Sequence, residues 1–169
     1  YKALLEVSLE ETFNTASSAN NNIRTLGVAV SPCILPEAGK PTFEISDDEI
    51  EIGMGIHGEP GIKREKLRKA DPLIDDLCKR ILDDFKLNDK DQVCVMINSL
   101  GAPPLEELYI ISKRVHENFS KLKIEITKTY VGRYATSMEM AGMSITTLKL
   151  NDNIKKHLFA KSECPFWNN

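Results

Sequence analysis

Glu49-Ile50-Glu51-Ile52-Gly53-Met54-Gly55-Ile56-His57-Gly58-Glu59-Pro60-Gly61 is the stretch around which this chain is organised. Its first eight residues alternate strictly. Successive side chains of a strand point to opposite faces. Ile50, Ile52, Met54 and Ile56 therefore share one face, and Glu49, Glu51, Gly53 and Gly55 the other. His57 continues the second register just past the strand end, with two glycines behind it on its own face. The expected result is an open notch beside an imidazole at a strand terminus, where sites concentrate. Pro60-Gly61 then stops the strand. Two readings of His57 stand at this point. One is a surface histidine in a turn whose glycines serve backbone angles; the other is a functional imidazole in a cleared space. Gly53-x-Gly55-x-x-Gly58 also matches the dinucleotide-binding pattern. That motif needs its last glycine to open a helix, and Glu59-Pro60-Gly61 follows instead, so the nucleotide reading is set aside.

Outward from this stretch the chain alternates strands and helices. Ala3 to Val7 reads as the close of a helix, and Ser8-Leu9-Glu10-Glu11 as a capping box that opens the next. That helix is expected to end in Asn20-Asn21-Asn22. Arg24 to Val30 reads as a strand, Ser31 to Pro41 as a loop and Thr42 to Ile45 as a short strand. The run Lys63 to Lys69 is either a solvated charged segment or a contact to a phosphate or acidic partner. Asp71-Pro72 gives a helix start with Asp71 as N-cap. Leu73, Ile74, Leu77, Cys78, Ile81, Leu82 and Phe85 then recur at helical spacing. Gln92 to Ile97 is an apolar run expected of a central strand covered on both faces. Leu105, Leu108, Ile111, Val115 and Phe119 mark a second amphipathic helix, with His116 at the stripe's boundary rather than a ligand. Lys121 to Val131 and Met143 to Leu150 read as strands, and Asn151 to Phe159 as a terminal helix with His157 exposed. Met138, Met140 and Met143 read as core fillers. The aromatic tail from Glu163 to Trp167 is expected to lie against something outside this chain. The sum is an α/β (α+β) two-layer sandwich, with a mixed sheet of about five or six strands and helices on one face.

The stretch Gly55 to Gly61, GIHGEPG, resembles the second domain of the dihydroxyacetone kinase substrate-binding subunit. Asn22 to Ala29, Gly39 to Phe43, Asn98 to Leu105 and Thr136 to Thr146 match the family in order, so the resemblance covers nearly the whole chain. It implies the same two-layer sandwich. It also implies that His57 binds dihydroxyacetone covalently, an imidazole nitrogen adding to the ketone carbonyl to give a hemiaminal. An ordinary imidazole, with pKa about 6.5, is mostly neutral near pH 7 and can attack. Gly55 and Gly58 are expected to admit the ketone, and Glu59 either to orient the imidazole or, the favoured reading, to make a turn hydrogen bond. His57, Gly55, Gly58 and Glu59 are thus the candidate substrate site, with His57 catalytic. The resemblance implies phosphoryl transfer from a separate nucleotide-binding kinase subunit that carries the nucleotide and Mg, with no cofactor or metal on this chain. The absence of a phosphate-cradling loop favours the phosphoenolpyruvate-phosphotransferase type. Glu139 stands where many relatives have aspartate. Some relatives sharing the histidine motif instead sense dihydroxyacetone and activate a transcription regulator without kinase activity.

Composition sets the outer limits. The chain has 169 residues and a net charge of -3, which suits one domain, residues 1–169, and argues against nucleic acid. No apolar run is long enough to span a membrane. Four cysteines (Cys33, Cys78, Cys94 and Cys164) show no metal spacing. Cys78 and Cys94 read as small buried hydrophobes, which fits a reducing cytoplasm. The chain starts at Tyr1 and is expected to be a piece of a longer, homodimeric protein whose N-terminal domain supplies the acid–base residues. Alone, it is expected to fold but not to transfer phosphate.

Overall fold

Ser8 opens the first helix by accepting a hydrogen bond from the Glu11 N–H at 3.1 Å, as the capping pattern predicts. The computed structural model describes residues 7–56, 59–165 and 167–168. In chain order the elements are α1 (Leu9–Asn21), β1 (Ile23–Ser31), β2 (Ile34–Leu35), β3 (Lys40–Pro41), β4 (Glu49–Ile52), β5 (Lys63–Lys66) and α2 (Ala70–Phe85). There follow β6 (Gln92–Ser99), α3 (Leu105–Lys121), β7 (Glu125–Gly132), β8 (Ala141–Lys149), α4 (Asp152–Leu158), β9 (Glu163–Cys164) and β10 (Trp167–Asn168). The helix end expected at Ala3–Val7 lies, apart from Val7, outside the described residues.

Six strands form one mixed sheet in the order β5-β4-β1-β8-β6-β7. Only β6 and β7 are parallel, and α3 makes the crossover between them. The α+β sandwich expected from the sequence is therefore present. Its main core lies between the sheet and α2 and α3. Ile74, Leu77, Leu108, Val115 and Phe119 from the helices meet Val28, Ile50, Ile52, Val93, Val95, Ile97 and Ile145 from the sheet. Each such side chain, fully buried, contributes roughly 1.5–3 kcal/mol. Arg114 ties the two helices together, donating Nε to Asp75 Oδ1 at 2.7 Å and Nη2 to Oδ2 at 2.6 Å, while Asn118 donates to the same carboxylate.

The residues between these positions face the other way, because strands alternate. Cys94 and Tyr130 pack there with Leu150 and Ile154, and Ala29 packs with Cys33, Met54, Leu100 and Met140. Between these two small clusters that face is open among the described residues.

Several local expectations need correction. Thr42 to Ile45 is not a strand; the pairing falls two residues earlier, as the short hairpin β2–β3 inside the expected loop. The Glu139 carboxylate accepts from the Ile34 N–H at 2.6 Å and fastens that hairpin to the 137–140 loop. Asp71 is not the cap of α2: Lys69 is, without a side-chain bond, and Asp71 lies in the first turn. Lys121 belongs to α3, and a positive φ at Lys123 delays β7 to Glu125. Met140 and Met143 are buried, but Met138 is half exposed. His157 is half-buried rather than exposed. The tail does find a partner within the chain: the Trp167 ring lies 4.5 Å from Tyr130 and 5.6 Å from Tyr134.

Candidate functional site

The strand expected from Glu49 to Ile56 stops after four residues. Gly53 adopts φ +83, a left-handed conformation that ends the pleat. Its N–H still bonds to Gly27 O at 2.7 Å, but the alternation is broken. Met54 consequently packs with Ala29, Cys33, Leu100 and Met140 instead of with Ile50 and Ile52. Ile56 is on the surface, 36% exposed.

Residues 53–62 form the connection between β4 and β5, and three bonds close it. Gly55 N–H donates to Glu59 O at 3.1 Å, and Ile62 N–H donates to Ile52 O at 2.8 Å. Gly61 N–H donates to Glu51 Oε1 at 2.8 Å. Gly61 is obligatory in this position, because a Cβ there would lie 2.4 Å from Ile52 O. His57 and Gly58, the middle of this connection, lie outside the described residues. Glu59 closes the turn through its backbone carbonyl. Its carboxylate occupies the space a Gly55 side chain would take: a Cβ on Gly55 would fall 2.0 Å from Glu59 Oε2. A Cβ on Gly53 would fall 3.1 Å from Ile62. The Cβ positions of these two glycines are therefore taken, by Ile62 and Glu59, although both glycines line the cleft described below.

Glu51 was placed by the alternation on an open face, yet it is buried. It sits at the base of the connection, where Arg64 Nη2 donates to its second oxygen at 2.8 Å. The Arg64 hydrogen bond holds the Glu51 carboxyl below the usual carboxylate range against the opposing effect of burial, with help from Gly61 N–H. The basic run after the loop proves to be an edge strand, β5, whose charges are matched within the chain. Arg64 pairs with Glu51, Lys66 with Asp48, Lys63 with Glu65, and Arg68 with Glu65 and Asp76. This supports the solvated-segment reading over a phosphate contact.

Among the described residues, an open space lies on this face of the sheet beside the connection. It is a cleft of about 480 Å³, walled by Gly53, Met54, Gly55, Ile56 and Ile62. Its floor comes from two cross-strand rows, Thr25–Thr146–Met96 and Gly27–Ser144–Asn98. Thr25 Oγ1 and Thr146 Oγ1 are 2.9 Å apart. Buried Asn98 donates to Ala135 O at 2.7 Å and Ser144 Oγ at 3.2 Å. Its Oδ1 accepts from the Tyr134 and Ala135 N–H groups at 2.8 and 3.0 Å. Asn98 thus clamps the 134–135 loop over the cleft's end. These floor residues escaped the sequence reading; the polar positions within the β1 and β8 patterns were the available signal. Among the described residues, no group of three or more His, Cys, Asp or Glu side chains is placed to hold a metal ion. His116 bonds Thr129 at 2.8 Å, consistent with a boundary residue. No helix of the described residues is long and apolar enough to cross a membrane.

A mixed sheet with helices on one face, and a polar-floored cleft beside a tightly closed loop on the other, defines an α+β domain. The chain belongs to the Dak1 domain family, whose model matches residues 2–166. It is 48% identical over 145 residues to the PTS-dependent dihydroxyacetone kinase 1, dihydroxyacetone-binding subunit DhaK, of Listeria innocua, covering 86% of this chain and 44% of that protein. Among solved structures it resembles a dihydroxyacetone kinase operon co-activator, with TM-score 0.85 and 28% identity over 92% of this chain and 48% of the other. It also resembles the dihydroxyacetone kinase of C. freundii in complex with AMP-PNP and Mg2+, with TM-score 0.84 and 27% identity over 96% and 30%. The chain spans about half the length of the curated subunits it matches.

Proposed function

We propose that residues 1–169 are one domain of a dihydroxyacetone-binding protein and that His57 holds the ketone covalently. An imidazole nitrogen adds to the carbonyl carbon, and the ring's N–H proton passes to the carbonyl oxygen to give the hemiaminal. A polyol lacks the carbonyl and cannot form this bond, so the adduct itself selects the substrate. The observation that carries the reading is the GIHGEPG connection, tied shut by Gly55–Glu59 and Glu51–Gly61 beside the cleft. Orientation of the reacting group contributes strongly to addition reactions, and the bonded flanks are what support that reading here. Gly55, Gly58 and Glu59 complete the proposed substrate site. The test is ¹³C NMR of the whole protein with labelled dihydroxyacetone. The hemiaminal carbon is expected in the wild type and absent in His57→Ala, with little change in melting temperature. An adduct surviving in the variant places the bond elsewhere.

Two uses of the bound ketone have support. The likeness to a co-activator at TM-score 0.85 favours sensing, in which the bound ketone signals to a transcription regulator. The 48% identity to a kinase subunit favours phosphoryl transfer within a homodimeric cytoplasmic enzyme. In that case nucleotide and Mg2+ sit on a partner subunit recharged from phosphoenolpyruvate, and the acid–base groups lie outside residues 1–169. Mixing the whole protein with such a partner and phosphoenolpyruvate separates them: dihydroxyacetone phosphate forms only in the second.

A further inference from the structure

The layer between the sheet and its two long helices is not filled at the end where β1 stops, β8 starts, and α2 and α3 begin. A pocket of about 320 Å³ opens there, walled by Val28, Val30 and Met143 of the sheet, Leu73 and Ile74 of α2, and Ile111 of α3. Val28, Leu73, Ile74 and Met143 are buried core residues, so the pocket is the open end of the core itself. Protein interiors are otherwise close-packed, and this volume lies at the low end of the ~300–1,000 Å³ range of small-molecule sites. The pocket shares no lining residue with the cleft on the other face. Two charged side chains interrupt its apolar lining, Arg68 and Glu107. Arg68 Nη2 donates to Asp76 Oδ2 at 2.8 Å and pairs with Glu65, so its charge is met twice. Its Nε–H, by contrast, is buried and has no acceptor among the described residues. Buried donors of this kind are rare in native proteins, because leaving one unbonded is costly. What Arg68 lacks is an acceptor, not a counter-ion. Glu107, in the first turn of α3, adds a carboxylate to the same lining; ionised, it only accepts. One donor and one acceptor beside a hydrocarbon wall match an amide, whose carbonyl oxygen accepts, whose N–H donates and whose acyl chain is apolar. A carboxylate fits worse, because it has no donor for Glu107 and adds its charge to those of Glu65, Asp76 and Glu107.

We propose that this pocket is a ligand site separate from the cleft, and that it takes a small N-acyl amide. The acyl chain lies against Ile74, Ile111 and Met143, the carbonyl oxygen accepts from Arg68 Nε, and the N–H donates to Glu107. The site involves neither the 53–62 connection nor the ketone. The experiment is methyl NMR of the whole protein titrated with three probes: N-methylhexanamide, N,N-dimethylhexanamide, which lacks the N–H, and hexanoate. N-Methylhexanamide is expected to give saturable shifts of the Leu73, Ile74 and Ile111 methyl signals. The dimethyl amide is expected to bind about fivefold to tenfold more weakly, the worth of one hydrogen bond. Hexanoate is expected to bind at least about tenfold more weakly, because removing a carboxylate from water beside Glu107 costs more than removing an amide. Glu107→Ala alters an exposed side chain and is expected to keep the fold. It is expected to weaken N-methylhexanamide by the same factor and to leave the dimethyl amide unchanged. Ile111→Phe, which fills the pocket from α3, is expected to abolish the shifts. Methyl signals that do not move up to the solubility limit of N-methylhexanamide overturn the inference, as does hexanoate binding as tightly as the amide. A Glu107→Ala protein that melts as the wild type does and still prefers N-methylhexanamide over the dimethyl amide also overturns it.

Discussion

Replacing Glu51 by alanine removes the carboxylate that ties the 53–62 connection to the sheet. Two donors lose their acceptor, the Gly61 N–H and the Arg64 guanidinium, each at 2.8 Å. The Glu51 side chain is 10% exposed, whereas that of Arg64 is 44% exposed. Arg64 can therefore recover water, so the cost stays below that of a fully buried ion pair, about 3–5 kcal/mol. The Gly61 N–H, pinned between Glu51 and Ile52, recovers less, and an unsatisfied buried donor costs about 1–3 kcal/mol. The expected loss is about 2 kcal/mol, or roughly 4–8 °C in melting temperature for a domain of this size. Its pH dependence has a definite sign. The folded-state pKa of Glu51 is lowered, so the carboxylate's contribution is present above the unfolded value of about 4.3 and is lost as pH falls through the folded value. The difference between wild type and Glu51→Ala is thus expected to be full at pH 7 and to shrink below about pH 4. Thermal melts of both proteins across this range provide the assay, with ketone binding measured in parallel. Binding is expected to weaken more than in a core variant of equal stability loss. Melting temperatures within 1 °C at pH 7 would refute the assigned role of Glu51, as would a difference that grows on acidification.

Gly53→Ala forces a side chain onto φ +83 and against Ile62; a loss of about 1–2 kcal/mol is expected in chemical denaturation, and a neutral result would mean the turn rearranges freely. Burial pushes the Cys78 and Cys94 thiols up to about 11, so iodoacetamide at pH 8 should label exposed Cys164 at least tenfold faster on the order expected from thiolate fraction and access, as read by mass spectrometry; equal rates would contradict their burial. The Arg114 and Asn118 hydrogen bonds hold Asp75 at about 2. Its contribution to stability is therefore present above about pH 4 and lost toward pH 2, and a carboxyl titration by NMR near the ordinary value would contradict the clamp.

The fold was legible where the signal was periodic and long. The helical spacing placed α2 and α3 with the expected faces buried, apart from exposed Leu105, and the apolar run placed β6 as a central strand with one face in the core while Met96 on the other lines the cleft instead of being covered. The errors occur where one residue's backbone overrides a pattern. Alternation from Glu49 to Ile56 reads as one strand, but Gly53 turns the chain and sends Met54 into a different cluster. Lys63 to Lys66 carries no apolar side chain, so nothing in its composition marks a strand; its pairing with β4 follows from the loop that precedes it. The closed turn at GIHGEPG has its signal in the glycines, Gly61 above all, though the space at Gly55 is taken by Glu59. The cleft floor was invisible because it needs β1, β6 and β8 side by side, and strand order is not written in any local pattern.

That strand order also has a consequence in time. β8, near the end of the chain, is the strand that joins β1 to β6, and Thr25 meets Thr146 across 121 residues of sequence. At a synthesis rate of ~5–20 residues per second, roughly 6–24 s pass between the emergence of these two partners. During that interval β1 has one ladder unmade and shows the ribosome's surroundings an open strand edge, while β6, α3 and β7 can already assemble as a local unit. Closure of the sheet therefore waits for its central strand, and contacts this distant are slow to form. A nascent chain stalled before Ala141 would hold two separate half-sheets, each a target for chaperones, and neither would own the floor on which the cleft depends.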